Sequence, residues 1–394
     1  MKILFFSPYY YPYTSGVTTY PKKLLSYLSN KNEIEILTFK YDKKLRIEET
    51  IDGYKITRMN YWFKISKGFI SPQSIYYFLK KINKCNLVIL NQPNFEGLFL
   101  AIIAKIFKKK IISIFHCQVF LEGNLLANII NFALDTSMKI QLHLSDKIVV
   151  YTKDYINSLP YFRKFANKTI EVLPPIEKSI EDKKFLNKLL KLKKDNIWIG
   201  YAGRISQEKG LEFLIRSIDR LEHKKNIRLI FAGPYGKDVA GESNYYNKIV
   251  EMLKKYKINY SFLGNLDNKQ LSVFYKSIDI LILPSINQTE AFGMVQAEAM
   301  LAGTPVIASN LPGVRIPIRL TKMGIIIEPK DIKQLSNAIN EVLENRNKYS
   351  NDDLVEKANK IFNIKKTYQF YEELISSLDP RLHGDDKNKI YEKS

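Results

Sequence analysis

Two short segments of this chain carry side chains that could do chemistry together. The first, Gly203-Arg204-Ile205-Ser206-Gln207-Glu208-Lys209-Gly210, lies between an apolar run and a helical pattern. A guanidinium fork plus an ammonium, beside a glycine that opens a helix, suits a diphosphate with its several acceptor oxygens. Alone, the segment reads more readily as a solvated turn with two ordinary surface cations. The second is Glu290-Ala291-Phe292-Gly293-Met294-Val295-Gln296-Ala297-Glu298. If helical throughout, its two carboxylates would stand about 12 Å apart, far enough to grip different parts of one ligand. Carboxylates only accept hydrogen bonds, so hydroxyl donors on a ribose or hexose are their natural partners. Gly293 lets backbone N–H groups at a helix start come close to such a ligand. Gly303-Thr304-Pro305-Val306 then turns the chain back into a strand.

Elements of regular structure must hold these loops. Residues 3–7, 33–39, 54–59, 87–90, 111–115 and 147–151 read as strands, with helical patterns over 18–28, 95–107 and 125–142. The alternation restarts with strands at 197–203, 227–233, 260–264, 280–284, 305–309 and 324–328. Between and after them come helices at 211–221, 245–256, 271–278, 294–302 and 332–343. Two such series predict an α/β protein of two doubly wound, Rossmann-like domains. Ligands of such sheets bind beyond the carboxyl ends of the strands. The pattern breaks near Leu173-Pro174-Pro175, which sets the first domain at 1–177 and the second at 178–353. A Lys-rich stretch, 183–195, reads as a linker or solvated helix. Helices near 354–378 are able to pack back on the first domain, and the polar tail 379–394 is expected to be mobile.

The chain has 394 residues, with 61 Lys and Arg against 40 Asp and Glu, a formal charge of +21. The excess leans towards the first half, which points to an anionic partner or to a compositional bias for lysine. No zinc-finger or RNP-type motif is present, so nucleic acid is not expected. Cys85 and Cys117 have no C-x-x-C partner, which excludes a disulfide framework and a thiolate zinc site and fits a reducing cytoplasm. The four histidines share no metal-ligand spacing. The apolar run 97–104 is too short to span a bilayer, and the opening residues read as a buried strand rather than a secretory signal.

The paired glutamates, the Gly-Thr-Pro-Val after them and the upstream Gly-Arg-x-x-x-x-Lys-Gly together resemble glycosyltransferase family 4. Ser15-Gly16-Val17, Ser145-Asp146-Lys147-Ile148 and Leu263-Gly264-Asn265-Leu266 extend the likeness over most of residues 1–345. The resemblance implies the GT-B fold: an acceptor-binding first domain and a nucleotide-sugar-binding second domain, facing across a cleft. Arg204 and Lys209 would hold the donor diphosphate, Glu298 the ribose hydroxyls and Glu290 the transferred sugar. Backbone groups of Phe292, Gly293 and Met294 would orient that sugar, and those near Asn265 and Leu266 would frame the base. Gly16 would let the first loop approach the phosphate, and His116, at a strand end, would face the donor sugar. Glu290, Arg204, Lys209 and His116 are the catalytic candidates. The chain differs from many members in having Ser15-Gly16 for Gly-Gly, and Leu311-Pro312-Gly313-Val314-Arg315 after Ser309.

The resemblance further implies transfer of a sugar with retention of anomeric configuration. A front-face displacement is expected, with Arg204 and Lys209 stabilising the leaving diphosphate. No D-x-D triplet occurs, so no metal or other cofactor is expected to be required. The expected acceptor is a glycan or lipid-linked molecule in cell-surface polysaccharide or glycolipid synthesis. Tyr9-Tyr10-Tyr11-Pro12-Tyr13 and the basic first domain would suit an anionic inner-membrane face, or the tyrosines would pack their own loop. Competing readings are a GT-B sugar epimerase and an inactive, membrane-surface nucleotide-sugar-binding scaffold.

Overall fold

A computed structural model of the chain describes all residues except 66–67, 120–122, 124, 179–180, 223, 237–238, 240–241 and 380–394. It divides into two units, Met1–Pro175 with Ile364–Ser394, and Ile176–Asn363. The expected tail thus lies, beyond Asp379, outside the described residues.

The first unit runs β1 (Lys2–Phe6), α1 (Gly16–Leu28), β2 (Glu33–Phe39), β3 (Glu48–Ile51), β4 (Tyr54–Met59), β5 (Phe63–Ile65), β6 (Gly68–Ile70) and α2 (Gln73–Ile82). It continues with β7 (Leu87–Gln92), α3 (Gly97–Ile106), β8 (Lys110–Phe115), α4 (Leu125–Leu144), β9 (Lys147–Val150), α5 (Lys153–Asn157) and β10 (Thr169–Glu171). Eight strands form one sheet in the order β10-β9-β8-β7-β1-β2-β4-β3, with β5 and β6 as a separate antiparallel pair. Every residue of β7 is buried, as a continuous apolar run in a parallel sheet covered on both faces should be. The strand order reverses between β1 and β7. In sheets of this kind ligands bind beyond the carboxyl ends of the strands at such a reversal.

In the second unit come α6 (Lys183–Lys193), β11 (Ile197–Ala202), α7 (Leu211–Asp219), β12 (Ile227–Ala232), α8 (Ser243–Lys255), β13 (Asn259–Phe262), α9 (Asn268–Ser277) and β14 (Ile280–Leu283). Then follow α10 (Met294–Leu301), β15 (Val306–Ser309), α11 (Ile316–Thr321), β16 (Gly324–Ile327), α12 (Ile332–Glu344), α13 (Arg346–Tyr349) and α14 (Asp352–Ile361). Its sheet is β13-β12-β11-β14-β15-β16, and each neighbouring pair is parallel. Leu211, Leu214, Ile215 and Ile218 bury one face of α7, as their spacing predicts. The Lys-rich stretch is the helix α6: Asp182 accepts the Phe185 N–H at 3.0 Å as its cap, and Leu189 is buried where α6 packs on α9.

The C-terminal helices divide between the units. α14 packs on α10 and α11, so it stays with the second unit. Only α15 (Ile364–Ser377) returns to the first, against α1. Tyr27 and Tyr368 stack at 4.0 Å, and the buried Tyr20 and Tyr371 hydroxyls meet at 2.6 Å. Tyr371→Phe leaves the Tyr20 hydroxyl without that partner, and the expected cost is about 1–3 kcal/mol. Chemical denaturation checks it; an unchanged midpoint would show that the hydroxyl pair contributes nothing.

The tyrosine-rich loop packs on itself. Tyr10 is fully buried and its hydroxyl donates to Tyr54 at 3.0 Å. The Tyr9 ring lies 4.7 Å from Phe69 and 4.5 Å from Tyr13.

Candidate functional site

The second sheet reverses its order between β11 and β14, and the two segments singled out in the sequence follow those two strands. The Arg204–Lys209 segment leaves β11 and the Glu290–Gly293 segment leaves β14. Lys209 Nζ lies 2.5 Å from Glu290 Oε2, joining residues 81 positions apart. Glu290 Oε1 accepts the Gly293 N–H at 3.0 Å, so one carboxylate ties the lysine to the start of α10. The Ile286 N–H donates to the Glu208 carbonyl at 3.0 Å and seals the two loops together.

Arg204 joins this group through Glu208, with Nη2 at 3.0 Å from Oε1. Burial works to raise the Glu208 carboxyl, but the Ser206 hydroxyl and the Arg204 and Lys209 charges outweigh it and hold the carboxyl below its usual range. Tyr201, on β11, donates its hydroxyl to the Arg204 carbonyl at 2.6 Å. Burial, and then the charges of Glu290 and Glu208, push this phenol well above its ordinary range, so it stays a donor. Tyr201 and Glu208 escaped the sequence reading; the signal was their distance of three and four residues from Arg204.

Gly293 precedes α10 with φ of +72° and provides no side-chain cap. By contrast, α9 and α12 are capped by Asp267 and Asp331. The first amides of α10 therefore face the loops as donors, with the positive end of the helix dipole behind them. Gln296 braces this turn, donating to the Phe292 carbonyl at 2.9 Å and the Val314 carbonyl at 2.8 Å. Its Oε1, and the hydroxyls of Ser285 and Ser309 after β14 and at the end of β15, are buried without a partner among the described residues. Buried polar atoms of this kind suit a ligand rich in hydroxyls.

Glu298 stands apart from the lysine pair. It accepts the Tyr275 hydroxyl at 2.8 Å, and burial followed by this carboxylate raises the phenol well above its normal range. Phe292 is buried and Met294 half-buried at the start of α10. Asn265 is exposed and Leu266 half-buried in the loop after β13, where Gly264 accepts the Gly233 N–H at 2.8 Å. The structure thus bonds Lys209, Glu290 and Gly293 directly and brings in Arg204 through Glu208. Glu298 lies further along α10, and the 265–266 loop follows β13, which β12 separates from β11 in the same sheet.

In the first unit, Gly16 is exposed as the first residue of α1, in the loop that leaves β1. His116, which the resemblance has facing the donor sugar, follows directly on β8. It is 2% exposed, and both ring nitrogens are bonded, Nε2 to Asn91 Oδ1 at 2.5 Å and Nδ1 to the Tyr151 hydroxyl. Asn91 Nδ2 donates to Ser7 Oγ at 3.0 Å and to the Val17 carbonyl at 2.9 Å, which fixes its oxygen towards the ring. Nε2 therefore carries the proton and Nδ1 accepts. Through Asn91, His116 is thus linked to the backbone beside Gly16.

Burial lowers the His116 imidazole from its ordinary 6.5 to about 3. The unfolded chain then binds the extra proton between those values. Stability from this group is complete above pH 6.5 and falls by about 1.4 kcal/mol per pH unit below it. Urea unfolding at pH 7 and pH 5 checks this: His116→Gln should show a shallower pH dependence than wild type. Equal slopes would refute it.

Among the described residues no group of three His, Cys, Asp or Glu side chains is placed to hold a metal ion.

The whole chain is similar in fold to solved glycosyltransferase structures. Sucrose-phosphate synthase from Thermosynechococcus elongatus aligns with a TM-score of 0.77 at 19% identity, over 95% of this chain and 99% of that one. Anabaena HepE, solved in complex with UDP-glucose, aligns at 0.75 with 17% identity, over 96% and 100%. The likeness shows the fold, GT-B. In sequence, an uncharacterized glycosyltransferase of Methanocaldococcus jannaschii is 31% identical over 173 residues, 43% of this chain and 41% of that protein. A lipopolysaccharide 1,2-N-acetylglucosaminetransferase of Salmonella typhimurium is 29% identical over 187 residues, 47% of this chain and 48% of that protein. Each match therefore spans less than half of the relative's length. Residues 182–361 match the model of the family described as glycosyl transferases group 1, and those residues contain Arg204, Lys209, Glu290, Gly293 and Glu298. It is this second unit, then, whose sequence is similar to the group 1 glycosyl transferases.

Proposed function

We propose that this protein is a retaining glycosyltransferase that moves a hexosyl group from a nucleoside-diphosphate sugar to a glycan or lipid-linked acceptor. The observation that carries the reading is the Lys209–Glu290–Gly293 arrangement at the reversal point of the second sheet, with Arg204 beside it. Two cations and an uncapped helix start can take up a diphosphate, while Glu290 and Glu298 offer acceptors to sugar hydroxyls. In the transfer, the bond from the anomeric carbon to the diphosphate oxygen breaks. A bond from the same carbon to the acceptor oxygen forms on the same face, and the acceptor's proton passes to the departing diphosphate. Arg204 and Lys209 stabilise the charge that grows on that leaving group. Because they supply this charge, and because no D-x-D triplet is present, turnover is proposed to need no divalent metal. A chelator that abolished activity would contradict that.

The acceptor is proposed to belong to cell-surface polysaccharide or glycolipid synthesis in the cytoplasm. The name of the Salmonella relative, a lipopolysaccharide N-acetylglucosaminetransferase, supports this. A thermal-shift and hydrolysis screen against UDP-, GDP- and ADP-sugars tests the donor reading. One nucleotide sugar should raise the melting temperature and be turned over; no response to any of them would remove the basis of the proposal.

A further inference from the structure

Helices α2, α3 and α4 pack side by side in the first unit. The Ser137 hydroxyl of α4 donates to the Phe95 carbonyl just before α3 at 3.0 Å. Lys109, past the end of α3, donates to the Cys85 carbonyl, past the end of α2, at 2.7 Å. α3 buries Gly97, Leu100, Ala101 and Ala104. A surface helix normally turns charged residues outward on the opposite face. Here Phe99, Ile102 and Ile106 face outward instead, and Ile106 is 70% exposed. α4 repeats the pattern with Leu125, Ile129 and Phe132, exposed by 75%, 57% and 74% at i, i+4 and i+7 spacing. Exposed apolar residues this dense mark a surface that something covers.

The charges around this face that lack an ionic partner among the described residues are of one sign. α2 and α3 contain no acidic residue, and the acid within α4, Asp135, is paired with Lys139 at 2.6 Å. Lys80 sits 4.4 Å over the Tyr76 ring on α2, a cation beside an exposed aromatic. Glu35 and Asp146 pair with Lys81, Lys105 and Lys110. Lys80, Lys84 and Lys108 have no carboxylate partner among the described residues. A second copy of this chain would bring like charges together across such a face, which disfavours self-association. An anionic lipid surface complements it, with phosphates for the lysines and an acyl boundary for the apolar stripes. No helix among the described residues is long and apolar enough to cross a membrane.

We propose that the outer face of α2, α3 and α4 docks on the surface of a bilayer containing anionic lipid. Phe99, Ile106, Ile129 and Phe132 enter the headgroup region, and the lysines at the carboxyl ends of α2 and α3 meet the phosphates. The test is flotation of the full chain with vesicles of phosphatidylcholine alone or mixed with phosphatidylglycerol. It reads binding without turnover, so it stands or falls separately from the donor-site reading. Wild type should float with the mixed vesicles only. Ile129→Asp with Phe132→Asp, and separately Lys80→Glu with Lys108→Glu, should each weaken binding about tenfold or more. Should the α4 variant unfold, Phe99→Ser with Ile106→Ser on α3 asks the same question. Lys188→Glu with Lys191→Glu, on the basic helix α6 of the second unit, should bind as wild type does. Three results would overturn the proposal: no flotation of wild type, wild-type binding by the α3 or α4 variants, or an equal loss in the α6 variant, which would mean net charge alone is read. A dimer that the α4 variant dissociates, without vesicle binding, would instead assign this face to self-association.

Discussion

Lys209→Ala should lower kcat/KM for the nucleotide sugar about 10³-fold, the scale set by deleting one group that stabilises transition-state charge. Two effects act in the same direction. The variant removes a cation from the diphosphate, and it leaves Glu290, whose carboxylate lies 2.5 Å from the ammonium, as an uncompensated negative charge beside the ligand. Glu290→Gln should cost less, because its remaining oxygen can still accept the Gly293 N–H. Stability is also expected to fall, by about 1–3 kcal/mol, since both side chains are largely buried and the carboxylate loses its ionic partner. Steady-state kinetics with a melting curve separate the two effects. Turnover within a few-fold of wild type would remove Lys209 from the chemistry.

Gly293→Ala is expected to cost about 10²-fold in kcat, and about 2–4 kcal/mol of stability. At φ of +72° an L side chain is disfavoured by about 1–2 kcal/mol. The new methyl would also stand 2.4 Å from Leu283 Cδ2 and 2.8 Å from Gln296 Nε2. Relief requires the turn to move. That displaces the N–H that Glu290 accepts, and with it the carboxylate, the lysine and the first amides of α10. Kinetics and urea denaturation of the same preparation check the prediction. A stable variant with wild-type kcat would show that the turn tolerates the shift.

Much of the scaffold was legible from periodicity alone. The apolar runs that became β1, β7, β8, β11, β12 and β14 are buried on both faces at nearly every position, so burial marks the run as a whole. Elements without that mark went unread. β3, Glu48-Glu49-Thr50-Ile51, is a polar edge strand with one neighbour, and β10 is three residues long. α2 places Tyr76, Tyr77 and Phe78 in its middle, residues that favour a strand as readily as a helix, and only packing beside α3 makes the choice. Whether the tyrosine run met a membrane or its own loop was open in the sequence. In the folded chain Tyr10 packs on Tyr54 and Tyr9 on Phe69, contacts no local pattern announces, while Tyr11 stays exposed.

By itself the sequence determined the residue types available to a donor site and the strand ends that carry them, because both are local: a charge pattern, a glycine, an apolar run. Tertiary structure alone decided which of those groups touch. The pairing of Lys209 with Glu290 spans 81 positions and follows from β11 lying beside β14, a neighbourhood set by the sheet order. The partners of His116 were decided the same way. A histidine at a strand end is indistinguishable, in sequence, from one that meets a ligand. Asn91 from β7 and Tyr151 after β9 reach it only when the sheet assembles, and they then take both of its nitrogens.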